Sequence, residues 1–362
     1  MANSFRSNSV EFNKSMDKDI RSKNGIYFTP KPVRDLLYTE LNKRCTNHPM
    51  KILEPAFGSG EFLFDLIEKY PSSHITGVEK HTELFTNVVS WVTPESKTKC
   101  TLRCMDFLDF SSSDKYDLIV GNPPYFVIKS PKHDIKSYAK QCSHGRLNIY
   151  VLFLYKCLEY HLEDCGFLAF ILPTSLYNSG YYQSMRDYIF KYTTIHFLSD
   201  LQKPGFHDTN QSTMVMILQK SKTHNDFIYK SLSNEVFISP YYEKLQELTN
   251  QQCCTLHSLG LGAKIGNVVW NQIKDKLTDD QSQTLLIYPC NIKNSEFKLF
   301  HSGENKNVLK KQYIITKLLN KDTLSGPVIL LTRGYGNKVC FDSVLIENNN
   351  FYAENHIIVI YR

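Results

Sequence analysis

The sequence predicts a doubly wound α/β sheet of seven strands followed by a smaller mixed α/β domain. Three observations carry this. From Lys51 onward, short apolar runs alternate with helix-length segments. The first of these runs ends in a turn with two glycines, Gly58 and Gly60. Beyond about residue 222 the alternation gives way to irregular runs, Gly/Asn-rich turns and lysine clusters such as Lys306, Lys310, Lys311 and Lys317. Strand and helix alternating at this rhythm mark a Rossmann-like sheet, which binds ligands at the carboxyl ends of its strands.

The elements follow in order. Residues 1–24 form a polar leader. Thr29-Pro30-Lys31-Pro32 reads as a helix start with Thr29 as N-cap, feeding the amphipathic run Val33 to Tyr38. Strands are expected at Ile52–Glu54, Ile75–Glu79, Thr101–Cys104, Leu118–Gly121, Phe167–Leu172, Thr194–Leu201 and Met214–Leu218. Helices are expected at Glu61–Tyr70, Glu83–Trp91, Asn148–His161 and Gly180–Lys191. One domain therefore spans 25–222 and a second 223–362, with the stretch Phe126 to Arg146 read as a long loop.

Composition narrows the class. The 362 residues are 42% hydrophobic and 22% charged, with a mean hydropathy of −0.33, which excludes disordered, collagenous and coiled-coil chains. The 42 basic against 36 acidic residues give a net charge of +6, which permits a polyanionic partner without demanding one. Ten scattered cysteines in a chain with ample core suit a reducing compartment, and no Cys/His spacing closes a tetrahedral set, so no metal is expected. No apolar h-region and no run of 18 apolar residues occurs, so neither secretion nor membrane insertion is expected.

The first candidate constellation is Glu54-Pro55-Ala56-Phe57-Gly58-Ser59-Gly60, a strand end entering a helix. Glycines there let a backbone approach a ligand closely, although such turns also serve purely structural ends. No Lys-Ser/Thr follows, which excludes a P-loop, and Glu54 would repel a phosphate but suit a cation. Glu79, ending the next strand and followed by Lys80, stands where α/β nucleotide sites place a carboxylate for ribose hydroxyls. After the third strand, Asp106 can accept from an exocyclic amine while Phe107 packs on a purine. Three carboxylates without a phosphate clamp fit a cationic nucleoside, and S-adenosyl-L-methionine is one.

The most specific element is Asn122-Pro123-Pro124-Tyr125, ending the fourth strand. Two prolines remove two N–H donors and leave carbonyl oxygens in need of a donor. An amino group on a planar base fits. If the Asn122 side-chain oxygen and the Pro123 carbonyl each accept one amino hydrogen, the nitrogen moves toward tetrahedral geometry and its lone pair is freed for an electrophilic methyl. Tyr125 offers a stacking platform for a base turned out of the duplex.

In their order, Gly25 to Pro30 with its Tyr27-Phe28-Thr29-Pro30, Glu54 to Gly60, Glu79, Asp106-Phe107 and Asn122 to Tyr125 resemble the motifs of the gamma-type, TaqI-like DNA methyltransferases that act on adenine N6. The resemblance covers residues 25 to about 220 and is looser beyond. It implies a class I methyltransferase sheet, S-adenosyl-L-methionine as cofactor, double-stranded DNA as substrate and a C-terminal target recognition domain. On this likeness Tyr27, Thr29, Glu54 and Gly58 contact the methionine part of the cofactor, Glu79 the ribose, and Asp106 and Phe107 the adenine. Phe153, in the segment Asn148 to Phe153, lines the adenine pocket, and Phe206 stacks on the flipped base opposite Tyr125. Asn122 and Pro124 face both cofactor and base.

Charge placement agrees with DNA. Lys129, Lys132, Lys136, Lys140 and Arg146 stand against one acid, Asp134, directly after the catalytic turn, and could grip phosphates. Arg333, in Thr332-Arg333-Gly334-Tyr335-Gly336, could read a guanine edge, and Ala353-Glu354-Asn355-His356 also resembles a segment of such recognition domains. A monomer suffices, acting wherever the genomic DNA resides, typically the cytoplasm. A cognate restriction endonuclease would act on the same site without a stable complex. The same tetrapeptide also serves methyltransferases of RNA adenine or protein glutamine, but here about 140 residues follow the sheet and only about 50 precede it, which favours DNA. A binding module that has lost catalysis would not need the intact tetrapeptide and glycine turn.

Overall fold

A computed structural model describes residues 5–6, 9, 29–45, 48–128, 133–201, 212–224, 226–231, 234–251, 254–299, 311–315, 319, 321–333, 341–347 and 350–362. The chain divides into two compact units, Met1–Asn250 and Gln251–Arg362.

In the first unit, seven strands form one sheet: β1 (Lys51–Glu54), β2 (His74–Glu79), β3 (Cys100–Cys104), β4 (Tyr116–Gly121), β5 (Leu162–Pro173), β6 (Thr194–Leu201) and β7 (Thr213–Gln219). Their order is β3-β2-β1-β4-β5-β7-β6. The pairs β3-β2, β2-β1, β1-β4 and β4-β5 are parallel, and only β7 runs antiparallel to its neighbours β5 and β6. The strand order reverses between β1 and β4, which places the ligand crevice there.

Helices cover both faces: α1 (Lys31–Asn42), α2 (Glu61–Lys69), α3 (Thr82–Trp91), α4 (His133–Cys142), α5 (Ile149–Lys156) and α6 (Gln183–Tyr192). Strands buried on two faces need apolar residues in unbroken runs. Accordingly Leu53, Ile119, Leu168, Phe170, Met214 and Met216 join one core layer, while their neighbours Ile52, Leu118, Val120, Ala169, Ile171, Val215 and Ile217 join the other.

Three expectations are corrected. Thr29 is not the N-cap of α1: Pro30 takes that position without a side-chain cap, and the Thr29 hydroxyl is used elsewhere. The stretch after the catalytic turn is not a plain loop, because α4 forms on the apolar face Ile135, Ala139 and Cys142, all buried. Residues 126–128 and 147–149 pair beneath it, with Val127 bridged to Asn148 and the Ile128 N–H donating to the Leu147 carbonyl at 2.9 Å. The domain boundary lies at 250 rather than 222. The hairpin β8 (Ile228–Lys230) and β9 (Val236–Ile238) and helix α7 (Tyr242–Asn250) stay with the first unit, since Ile228, Val236 and Ile238 join its core.

The second unit was expected to mix α and β. Among its described residues it has strands and short 3-10 turns but no α-helix. A four-stranded sheet runs in the order β10 (Gly262–Ile265), β20 (Ile357–Tyr361), β17 (Val328–Thr332) and β18 (Ser343–Ile346). A five-stranded sheet contains β12 (Thr284–Ile287) and β19 (Asn350–Ala353) as a parallel pair. The alternating burial of Val328–Thr332 shows why: the short runs there repeat every second residue, a strand period.

Candidate active site

The ends of β1, β2, β3 and β4 converge on a cavity of about 530 Å³. Its wall includes Thr29, Glu54, Pro55, Ala56, Phe57, Gly58, Glu79, Lys80, Asp106, Phe107, Asn122, Pro124 and Phe153, all singled out in the sequence. The turn after β1 is set by its glycines. Gly58 and Gly60 hold φ of +55° and +81°, and a Cβ at Gly58 would meet nothing within 4 Å. Side chains rarely adopt such φ values, so glycine keeps both the turn and the open space beside it. Gly60 is the residue before α2 and shapes the turn without joining the wall.

Three carboxylates line this side. Glu54 is fully buried and its Oε2 has no hydrogen-bond partner among the described residues. Burial, then the nearby Asp65 and Glu79, push its carboxyl well above the usual range. Glu79 accepts from the backbone N–H of Gly58 at 2.9 Å and of His81 at 2.7 Å. Burial raises its carboxyl too, opposed by these backbone bonds. Asp106 accepts from the Leu108 N–H at 2.9 Å and pairs with the Lys80 ammonium at 2.8 Å. Phe107 and Phe153 pack with centroids 4.7 Å apart. A buried carboxylate oxygen awaiting a donor, an open glycine turn and a phenylalanine pair suit the ammonium, sulfonium and purine of S-adenosyl-L-methionine. Glu54 would hold its cationic end, Glu79 its ribose, and Asp106, Phe107 and Phe153 its base.

On the other side, Asn122 donates from Nδ2 to Thr29 Oγ1 at 3.1 Å. Tyr125 is buried, with its ring edge toward Tyr150. Its hydroxyl meets Asn122 Oδ1 and lies 2.8 Å from the Ile171 carbonyl. Neither Pro123 nor Tyr125 is on the cavity wall; Phe126 and Ile149 are. In this arrangement Phe126 lines the cavity while Tyr125 packs in the core.

Tyr27, Phe206, Lys129 and Lys132 lie outside the described residues, as does the side chain of Lys136 within α4. Lys140 and Arg146 are exposed. Arg333, just past β17, is exposed and its Nη1 donates to the Asn355 carbonyl at 3.5 Å. Sequence reasoning missed Glu61, His81, Thr82, Phe126 and Ile149, which also line the cavity. Glu61 had a signal: an acid opening a helix beside a glycine turn meets the positive end of the helix dipole.

A seven-stranded sheet with β7 reversed, and this acidic glycine-turned cavity beside Asn-Pro-Pro-Tyr, define a class I methyltransferase that uses S-adenosyl-L-methionine. Residues 61–206 match the Eco57I restriction-modification methylase family. Type II methyltransferase M.CvrRI of Paramecium bursaria Chlorella virus XZ-6E is 32% identical over 98% of this chain and 88% of its own length. Modification methylase CviBIII of Paramecium bursaria Chlorella virus NC1A is 31% identical over 97% of this chain and 86% of its own. The chain belongs to the Type II restriction-modification DNA methyltransferases. Among solved structures, the Type I restriction enzyme EcoKI M protein aligns with a TM-score of 0.42 and 16% identity, over 61% of this chain and 48% of that one.

Proposed function

We propose that this DNA methyltransferase acts on the N6 amino group of adenine, in a short double-stranded sequence, on a base turned out of the helix. The observation that carries the reading is Asn122 on the wall of the cofactor cavity, at the end of β4, with its amide tied to Thr29. Bound S-adenosyl-L-methionine supplies an electrophilic methyl on a sulfonium. The Asn122 Oδ1 and Pro123 carbonyl accept the two amino hydrogens, which localises the nitrogen lone pair. The freed pair, held in place by Asn122 and Pro123, would be the nucleophile toward that methyl. The amino proton, now acidic, then leaves to solvent, so no strong base is required.

The entering base displaces the Tyr125 hydroxyl from Asn122 Oδ1, and the released Tyr125 ring can then stack on it, with Phe206 opposite. Extrusion costs a few kcal/mol, roughly, which phosphate contacts from Lys129, Lys132, Lys136, Lys140 and Arg146 offset. The second unit reads the sequence, with Arg333 among its contacts. The enzyme works as a monomer where the genomic DNA resides, and a cognate endonuclease shares its site without a stable complex. Transfer of tritiated methyl to unmethylated genomic DNA, followed by nucleoside analysis, tests this. N6-methyladenine in one short motif is expected. N4-methylcytosine, or label found only in RNA or protein, overturns it.

A further inference from the structure

Arg34 lies in the second turn of α1 and is 2% exposed. A guanidinium taken out of water is costly unless its donors are met. Here three of its nitrogens face oxygen atoms. One arm donates to the Thr29 carbonyl at 2.5 Å. Nε donates to Asp65 Oδ2 at 2.7 Å, and Nη2 stands 2.8 Å from Glu61 Oε2. Glu61 and Asp65 sit four residues apart on α2, so one flat cation spans two successive turns of the helix that follows the glycine turn.

Its three partners belong to the active site or adjoin it. Glu61 lines the cofactor cavity. Thr29 lines it too, and its hydroxyl receives the Asn122 Nδ2 hydrogen at 3.1 Å. An asparagine amide has one accepting and one donating end. Thr29 engages the donating end, so Oδ1, which meets the Tyr125 hydroxyl, is the accepting end that a substrate amine would take over. Were the amide reversed, N–H groups would face the amine and the acceptor would be lost.

We propose that Arg34 is a positioning residue for methyl transfer: by clamping the Thr29 segment to α2 it fixes the Thr29 hydroxyl against Asn122 and so sets the direction of the catalytic amide. This rests on reading Asn122 as the acceptor of the substrate amine. Arg34 is not on the cavity wall, so it acts on Asn122 only through a partner, and Thr29 is the one that touches Asn122.

The test is a double-mutant cycle of Arg34→Lys and Thr29→Val. It is read as the single-turnover transfer rate at saturating cofactor and DNA, beside the dissociation constant for S-adenosyl-L-methionine. A lysine keeps a charge for the two acids but cannot span them and the Thr29 carbonyl together. Each single variant is expected to slow transfer about tenfold, and the double to be no slower than the worse single, as for residues acting through one link. Cofactor affinity of Arg34→Lys should stay within about threefold, since Glu61 keeps a cationic neighbour. Multiplying losses, or an Arg34→Lys rate equal to wild type, overturn the proposal. Should Arg34→Lys fail to fold, Arg34→Gln takes its place in the same cycle, and Thr29→Ser checks the hydroxyl separately. Serine keeps the hydroxyl and should recover most of the rate lost in Thr29→Val, whereas equal losses overturn the link. The identity of the methylated nucleoside is read in the same samples, so a product other than N6-methyladenine faults the adenine reading while the cycle still judges Arg34.

Discussion

At the ends of β2 and β3 the acidic groups rest in backbone cradles. Glu79 accepts from the Gly58 and His81 N–H groups, and Asp106 from that of Leu108. At the end of β4 the key polar group is held by side chains instead, with Asn122 between Thr29 and Tyr125. Backbone donors cannot rotate away, but side chains can. On the proposed function, the cofactor side of the cavity is preset, while the substrate side carries a contact that an incoming base would exchange.

The largest effect should separate the two sides. Asn122→Ala is expected to cut methyl transfer by about 10³-fold, in the range for losing one preorganised polar group. Its dissociation constant for S-adenosyl-L-methionine should change little. Glu79→Ala should do the reverse, weakening cofactor binding about tenfold or more, or about 1.4 kcal/mol, with a near-normal rate at saturation. Calorimetric titration beside single-turnover kinetics reads both, and equal losses of binding and rate in both variants break the comparison.

A middle-sized effect concerns protons. Glu54 has its carboxyl raised above the ordinary 4.5 by burial and by Asp65 and Glu79. The protonated form suits the free enzyme and the ionised form suits a bound cation. Affinity for the cofactor should therefore rise with pH through this raised pKa, with proton release on binding. The same shift makes the free protein's stability greatest below the ordinary value and lost progressively as pH climbs through the raised one. Saturating cofactor should offset that loss. Titrations in buffers of different ionisation enthalpy measure the release, and Glu54→Gln should shrink it. Unchanged release in that variant would place the proton elsewhere.

The smallest effect sharpens the substrate side. Tyr125→Phe deletes a hydroxyl shared between Asn122 and the Ile171 carbonyl, a bond of about 1 kcal/mol net. The melting temperature should fall slightly while target duplex binds a few-fold tighter, because no contact has to be broken. Weaker binding in a gel-shift series would mean that the hydroxyl itself meets the base.

The legible parts of the molecule are those where burial is two-sided. Ile171 and Leu172 on β5, or Val215 and Met216 on β7, are consecutive apolar residues serving opposite layers, so each strand announces itself. The glycine turn and Asn122-Pro123-Pro124-Tyr125 were equally readable, since backbone demands restrict the residues allowed. Arg34 and Asp65 were not, because charged residues on helices ordinarily face water, and only the fold reveals that they are buried together with Glu61. Burial of Tyr125 was hidden for a related reason: its hydroxyl partner Ile171 lies 46 residues away. In the second unit, strands of two to five residues leave too short a period to read.

The paired stalk at 127–128 and 147–148 has an architectural consequence. The two ends of the intervening segment meet each other directly, with one bridge and a 2.9 Å backbone bond closing the base. What hangs from that base is anchored a second time, because Ile135, Ala139 and Cys142 of α4 join the core of the first unit. Its exposed positions, such as Lys140 and Arg146, can therefore change charge without altering the register of β4 or β5, whereas its apolar face is as constrained as the sheet it covers.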